Sequence, residues 1–314
     1  MKQSIDMRSA ARSRLLVAAA AALLFALPAA SHAQESKTNV VRPFLWHAEL
    51  PRSPENVVNI FRRFDSALRE PMVDFYSKAL GMEPLPYQPN AMMIRFPVGT
   101  SELKLFPTAS GNELRARPVN EVAGLRLMTL FFPDEAALAA RFVDHGYEAP
   151  KFHAADGTRK IAHVQDPDGQ WVELVVVPGA AQSVYEQVQY GLTVTDIETS
   201  RAHYRDFVGP EELPAVQHPL LKTTNYSYKP GDQIISLWSF GADLPKDTGT
   251  AGIQYVVWNV EGVDALAKAR NVAVDRPLSA AGRFPRTVWL FDPDGITNYF
   301  AQFRESPDAL RAAN

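Results

Sequence analysis

The stretch Asp166-Pro167-Asp168-Gly169 returns further along the chain as Asp292-Pro293-Asp294-Gly295, 126 residues later. Gly124-Leu125 returns in the same way as Gly252-Ile253, at an offset of 128 residues. Matches that share nearly one offset indicate an internal repeat, and a repeat of this length decides the fold. The sequence therefore predicts two similar structural units.

Each unit shows one pattern of elements twice. In the first unit Met72, Phe75, Tyr76, Ala79 and Leu80 recur at the spacing of one helix face, which is typical of an amphipathic helix. Strand-like segments follow, and the repeated Asp-Pro-Asp-Gly lies between the last two of them as a hairpin turn. The predicted fold class is α+β, with four strand–helix–strands modules in two domains.

The repeat divides the chain into two domains and short connecting segments. We predict a first domain at residues 54–178, a linker at 179–184 and a second domain at 185–304. Residues 34–53 form a lead-in, and residues 305–314 form a tail. The two domains are expected to pair with each other.

The first 33 residues have the pattern of a secretory signal peptide. Basic residues precede an apolar run at residues 15–30, and Ala30 and Ala33 fit the small-residue rule for cleavage before Gln34. The apolar run is short for a membrane span. The sequence therefore predicts a periplasmic or secreted protein with no membrane contact after cleavage.

Composition excludes several other classes of protein. The chain has 314 residues, of which 46% are hydrophobic and 21% charged, as in ordinary globular proteins. It contains no cysteine, so disulfides, thiolate nucleophiles and cysteine-ligated metals are excluded. The formal net charge is −3 and the basic residues are dispersed, which argues against nucleic-acid binding.

An ordered set of motifs resembles the vicinal oxygen chelate superfamily, which includes glyoxalase I, bleomycin-resistance proteins and extradiol dioxygenases. The set consists of Asp196 and Ser200 before His203-Tyr204, then Val208-Gly209, with Asp-Pro-Asp-Gly-Gln-Trp-Val-Glu-Leu at residues 166–174. The resemblance implies paired βαβββ modules that form curved mixed sheets. It also implies a small organic ligand in each cup and, in catalytic members, a divalent metal ion held by the first and last strands of the modules.

The resemblance places Gln189 and Glu173 at positions that suit metal ligation. The other positions hold Asn59 or Val58, Lys104, Leu127, Ser236, Tyr255 or Gln254, and Tyr299. One composite cup would bring Gln189 and Ser236 opposite Leu127 and Glu173, and His163 is a further candidate ligand. Two suitable ligands out of four predict a degenerate site, so no cofactor is expected, and a divalent metal ion is kept as an alternative.

Three functions remain open. The preferred one is the binding of a small organic molecule, for which the candidate residues are Trp171, Gln189, Ser236, Tyr255 and Tyr299. The second is a metal-dependent enzyme of the glyoxalase, dioxygenase or lyase type that uses Glu173 and Gln189. The third is a metal-free lyase or isomerase in which Glu173, with a raised pKa, is the general base and Tyr299 or His163 donates a proton.

Overall fold

A computed structural model describes residue 41 and residues 58–86, 93–109, 113–282 and 284–305. The predicted signal peptide lies outside the described residues, as do the lead-in apart from residue 41 and the tail apart from residue 305. Those predictions, and the domain boundaries, stay predictions. Among the described helices, none combines the length and the apolar character needed to cross a membrane.

Short strands dominate the described residues, and a few short helices connect them. The strands are β1 Val58–Asp65, β2 Ile94–Val98, β3 Ser101–Thr108, β4 Gly124–Phe132, β5 His153–Asp156, β6 Arg159–Gln165, β7 Trp171–Val176, β8 Val188–Thr193, β9 Glu211–Glu212, β10 Val216–Gln217, β11 Thr224–Lys229, β12 Ile234–Trp238, β13 Ala251–Val256, β14 Val274–Arg276, β15 Arg286–Phe291 and β16 Thr297–Gln302. The α-helices are α1 Arg69–Asp74, α2 Glu135–Asp144, α3 Gln182–Tyr185, α4 Ile197–Ala202 and α5 Val260–Ala269. The π-helical turns Phe75–Ala79 and His203–Val208 extend α1 and α4, and 3-10 turns cover Ser66–Leu68 and Glu113–Ala116.

The strands form two mixed sheets. The seven-stranded sheet has the order β14-β15-β16-β13-β1-β3-β2, and the nine-stranded sheet has the order β10-β11-β12-β8-β4-β7-β6-β5, with β9 paired to β11. In each sheet two parallel pairs flank a central antiparallel pair, which is β1 with β13 in one sheet and β4 with β8 in the other. The predicted α+β class with mixed sheets is confirmed. Each sheet takes strands from both halves of the chain.

Helix starts follow the capping chemistry of the sequence. The Asp134 carboxylate accepts a hydrogen bond from the Ala137 backbone N–H at 3.0 Å, which caps α2. Asp196 caps α4 in the same way, and Asn259 caps α5. These side chains satisfy N–H groups that have no partner within the helix, so each of these three helices begins at a capping residue that the sequence specifies.

The repeated Asp-Pro-Asp-Gly makes the same contacts in both halves. Asp166 accepts a hydrogen bond from the Tyr76 hydroxyl at 2.8 Å, and Asp292 accepts one from the Tyr204 hydroxyl at 3.0 Å. Each aspartate also accepts backbone N–H groups of its own turn. Burial raises the pKa of Asp166 to about 6 and that of Asp292 to about 7. These contacts give the motif a structural role in joining a hairpin to a helix.

A shared core holds the two sheets together. One cluster of buried apolar side chains contains residues of both sheets and of the helices. Polar links cross between the sheets as well, since Arg62 donates to the Trp171 carbonyl at 2.9 Å and the hydroxyls of Ser101 and Tyr190 are hydrogen-bonded. The opposite face of each sheet carries a cavity, so strand periodicity decides which side chains line it.

Candidate functional site

The seven-stranded sheet carries a cavity of about 710 Å³. Asn59 and Gln254 line it, whereas their neighbours Val58 and Tyr255 are buried in the shared core. Side chains of successive strand residues point to opposite faces, so this alternation continues along β1 and β13. The prediction that Tyr255 faces a ligand is therefore wrong, and Gln254 takes its place.

A polar network forms the floor of this cavity. The Asn59 amide donates to Gln254 Oε1 at 2.9 Å and accepts from the Glu102 backbone N–H at 2.8 Å. Lys104 Nζ donates to the same Gln254 oxygen. Strand pairing places Asn59 opposite Gln254, and Gln254 opposite Tyr299. Asn59, Gln254 and Tyr299 therefore form one row across β1, β13 and β16, and Glu102 and Lys104 join the network from the adjacent β3.

Glu102 and its partners set the charge near this floor. Arg95 makes a two-point contact with Glu102, with nitrogen–oxygen distances of 2.8 and 2.6 Å. Lys104 Nζ lies 3.8 Å from the second Glu102 oxygen. Burial lowers the pKa of Lys104, Glu102 opposes this shift and the nearby Arg95 charge adds to it, so that the net pKa is about 8. Lys104 is therefore a weakly paired amine at the base of a cavity.

Aromatic side chains form the walls of the cavity. They are Phe61, Phe106, Trp289, Tyr299 and Phe303. The Trp289 and Tyr299 rings stack at 4.4 Å, and burial raises the pKa of Tyr299 to about 12, against a hydrogen bond with Gln254. Such rings give large contact area to a flat apolar ligand.

The charges that line this cavity are mostly positive. Arg63, Arg95, Lys104 and Arg276 are basic, and Glu102 is the acidic side chain among the described lining residues. The Arg276 guanidinium lies 4.4 Å from the centre of the Trp289 ring. We call this space the cationic cavity. Its basic and aromatic lining suits an organic anion.

The nine-stranded sheet carries a second and smaller cavity of about 180 Å³, which is lined by Thr129, Glu173, Gln189 and His218, among others. Strand register places Gln189 opposite Thr129, Thr129 opposite Glu173, and Glu173 opposite His163. Of the four residues of the predicted composite cup, Gln189 and Glu173 therefore line this cavity, and Thr129 rather than Leu127 stands between them in the row.

Glu173 accepts hydrogen bonds from three side chains, which together with it form the Glu173 cluster. His163 Nε2 lies 2.9 Å and His218 Nε2 3.1 Å from one carboxylate oxygen, and the Thr129 hydroxyl donates to the other at 3.0 Å. Burial raises the pKa of Glu173, but the hydrogen bonds from His163 and His218 outweigh it, and the pKa is lowered to about 2. The expectation of a raised pKa is wrong, and Glu173 is ionised near neutral pH.

Replacing this charge tests the electrostatics of the cluster. Because the folded pKa of Glu173 is about 2 against 4.5 for a free side chain, the carboxylate contributes stability above pH 4.5 that is lost as the pH falls towards 2. Glu173→Gln is expected to lower the free energy of unfolding by about 2–3 kcal/mol at neutral pH. Urea unfolding at several pH values measures the difference, which should shrink below pH 4.5. A difference that does not vary with pH would contradict the assigned charge.

His163, Glu173 and His218 are the described residues that could hold a divalent metal ion, since their ligand atoms lie within 4.8 Å of one another. However, His218 Nδ1 accepts from the Leu220 and Leu221 backbone N–H groups at 3.3 and 3.2 Å. A neutral imidazole then carries its proton on Nε2, which faces Glu173 and is not free to ligate. In this form the cluster does not fit a metal ion.

The other predicted residues occupy different surroundings. Trp171 donates from its indole N–H to the Arg117 carbonyl at 2.9 Å and packs beside Leu127 on the nine-stranded sheet. Ser236 is buried and lies 3.2 Å from the Ser227 hydroxyl, outside the lining of the smaller cavity. Tyr299 and Glu173 lie on different sheets, so the structure does not bring them together as an acid–base pair.

Sequence reasoning missed His218 and the pair of Arg95 and Glu102. His218 lies between β10 and β11, outside any strand, so no periodicity indicates its direction. β1 and β3 run parallel, and their register pairs Ile60 with Leu103. Asn59, one residue before Ile60, therefore lies beside Glu102 and not beside Lys104. Alternation along β3 was the available signal for Glu102 and Lys104, but it does not distinguish the two positions.

Comparison with known proteins agrees with this architecture. The model of the Glyoxalase/Bleomycin resistance protein/Dioxygenase superfamily matches residues 70–174. This part of the chain is therefore similar to members of that superfamily. The matched residues run from α1 to β7 and include Glu173 and His163.

Solved structures of superfamily members show the same fold. Glyoxalase I from Zea mays is 20% identical, and the alignment covers 82% of this chain and 94% of that chain, with a TM-score of 0.58. A mutant of the same enzyme is 19% identical over 82% of this chain and 95% of its own, also with a TM-score of 0.58. At this identity the likeness shows the fold and no activity.

A curated relative is Lipoprotein LpqB of Mycobacterium leprae (strain TN), which is 30% identical over 125 residues. The match covers 36% of this chain and spans 20% of the length of that protein. Its properties as a whole therefore do not transfer to this chain directly.

Proposed function

We propose that this protein binds a small organic anion in the cationic cavity. The observation that supports the proposal most is the lining of that cavity, in which basic side chains outnumber the acidic one and aromatic rings form the walls. A volume of about 710 Å³ lies within the range of small-molecule sites. An anionic group would meet the guanidinium groups while an aromatic body packs against Phe61 and Trp289.

The smaller cavity of the nine-stranded sheet suits this function less well. Trp238, Leu127 and Val119 form an apolar cluster on that sheet, against which Trp171 packs. The Trp238 ring covers Gly191 on this sheet, so closely that an added Cβ on Gly191 would come within 2.2 Å of the ring. Because these apolar side chains occupy this sheet, we assign the ligand to the cationic cavity.

A titration with three related probes tests the proposal. Phenylacetate, its neutral amide and phenethylamine share one aromatic body and differ in charge. Calorimetry should show the tightest binding for phenylacetate, with affinity falling as the salt concentration rises. Binding of the amide or the amine as tightly as the acid would contradict an anion site.

A matched pair of arginine variants locates the site. Arg276→Met removes a charge above Trp289 in the cavity, whereas Arg205→Met removes an exposed arginine that pairs with Asp206 elsewhere. The first is expected to weaken phenylacetate binding by about tenfold, the second by less than about twofold. Equal effects of the two variants would place the ligand outside the cationic cavity.

We further propose that the protein is exported and acts without a divalent metal ion. Export is supported by the signal-peptide pattern of residues 1–33 and by the likeness to a protein named as a lipoprotein. N-terminal sequencing should find a mature chain that begins at Gln34, and recovery of the uncleaved chain would contradict this. Elemental analysis of purified protein should find no stoichiometric metal.

A further inference from the structure

We infer that Lys104 is a nucleophilic amine that condenses reversibly with an aldehyde or ketone group of the anion held in the cationic cavity. The inference rests on the proposed function, because the cavity must first hold the ligand. It adds the chemical class of that ligand, which is a carbonyl compound with an acidic group.

The position of Lys104 suits such a reaction. Its side chain is 12% exposed, and it lines the cavity beside Asn59 and Gln254. Its nitrogen donates to Gln254 Oε1, a neutral amide oxygen that also accepts from Asn59. Hydrogen bonds to a neutral amide hold the nitrogen in place without requiring it to be charged.

The charges around Lys104 leave the amine available. Glu102 is the carboxylate nearest to it, but Arg95 already neutralises Glu102 through its two-point contact. The Arg95 guanidinium and burial together disfavour the ammonium form, and the pKa of Lys104 falls to about 8. A desolvated lysine beside another cation is a recognised form of activated amine.

The reaction balances without an oxidant or reductant. The lone pair of the neutral amine forms a bond to the carbonyl carbon, and the carbonyl oxygen gains a proton as the nitrogen loses one. The hydroxyl then takes up a proton from solvent and leaves as water while the nitrogen lone pair forms the C=N bond, and the nitrogen returns its second proton to solvent, so that amine and carbonyl give imine and water. Tyr299 lies in the same cavity and, since burial raises its pKa to about 12, keeps its proton and can donate a hydrogen bond to the departing oxygen.

Reductive trapping tests the inference on the full chain. The probes are phenylpyruvate, which carries a ketone and a carboxylate, and phenyllactate, which carries a hydroxyl in place of the ketone. With phenylpyruvate and cyanoborohydride, intact mass and peptide mapping should show one adduct at Lys104. The rate of trapping should rise with pH through about 8, the pKa of Lys104.

Two variants serve as controls. Lys104→Arg keeps the positive charge but removes the nucleophile, so at saturating phenylpyruvate it should lose at least about tenfold of the adduct. Lys160→Arg changes an exposed lysine that pairs with Glu135 and should trap as the parent does. Trapping by Lys104→Arg at the parental level would overturn the inference.

The two probes separate this inference from the proposed function. If phenyllactate and phenylpyruvate both bind and the parent yields no adduct, the inference is overturned and the anion site stands. If neither probe binds, both are overturned. An adduct at Lys104 with binding of both probes supports both.

Discussion

Arg126→Met is expected to lower the free energy of unfolding by about 3–5 kcal/mol, because it breaks a buried ion pair. Arg126 lies on β4 and pairs with Asp247 at 3.0 Å, and both side chains are nearly fully buried. The guanidinium also donates to three carbonyls of residues 114–117. Urea unfolding of the two proteins measures the difference.

A second substitution tests the cause of this loss. If the loss comes from the broken ion pair between Arg126 and Asp247, adding Asp247→Asn to Arg126→Met should restore about 1–2 kcal/mol. The Thr250 hydroxyl hydrogen-bonds to Asp247, and an asparagine oxygen can accept the same bond. A double variant no more stable than Arg126→Met would mean that the lost carbonyl contacts account for the effect.

Gly252→Ala is expected to destabilise the protein by about 2–3 kcal/mol and to weaken phenylacetate binding. An added Cβ would come within 2.5 Å of the Phe61 ring and 2.6 Å of the Thr297 carbonyl oxygen. Phe61 is a wall of the cationic cavity, and Thr297 belongs to the neighbouring strand, so both the wall and the sheet must shift. Thermal unfolding and calorimetry measure the two effects.

A double-mutant cycle with Phe61→Ala separates the contact with the Phe61 ring from the contact with the Thr297 carbonyl. In a Phe61→Ala background the ring no longer opposes the new methyl group, so the remaining cost of Gly252→Ala is the contact with the Thr297 carbonyl. We expect this remainder to be smaller than the cost in the parent but still measurable. An equal cost in both backgrounds would show that Phe61 adapts freely to the change.

Strong local signals predicted the larger features of the molecule. The repeated Asp-Pro-Asp-Gly indicated a duplicated α+β chain, and each copy places its first aspartate under a tyrosine hydroxyl of a preceding helix. Glu173 and Gln189 were placed in one composite cup, and both line one cavity. A period of two along strands and capping residues at helix starts are local properties, so a sequence contains them directly.

Finer details of the site depended on register. The predicted and observed site positions differ by only one or two residues along a strand. Gln254 lines the cavity instead of Tyr255, and Thr129 stands beside Glu173 instead of Leu127. A shift of one residue exchanges the two faces of a sheet, and hydrophobic alternation cannot fix the alignment with a strand that is distant in sequence. Tyr255 was assigned to the wrong face for this reason.

The amino-acid sequence by itself determines the duplication and the mixed α+β architecture, because each of these depends on residue types and short spacings. Only the folded chain shows that His163 and His218 meet Glu173 and hold it as an ionised carboxylate. It also brings Arg95 to Glu102 and leaves Lys104 weakly paired in the cationic cavity. These contacts join residues from different strands and loops, and the free energy of a charge depends on what surrounds it in space.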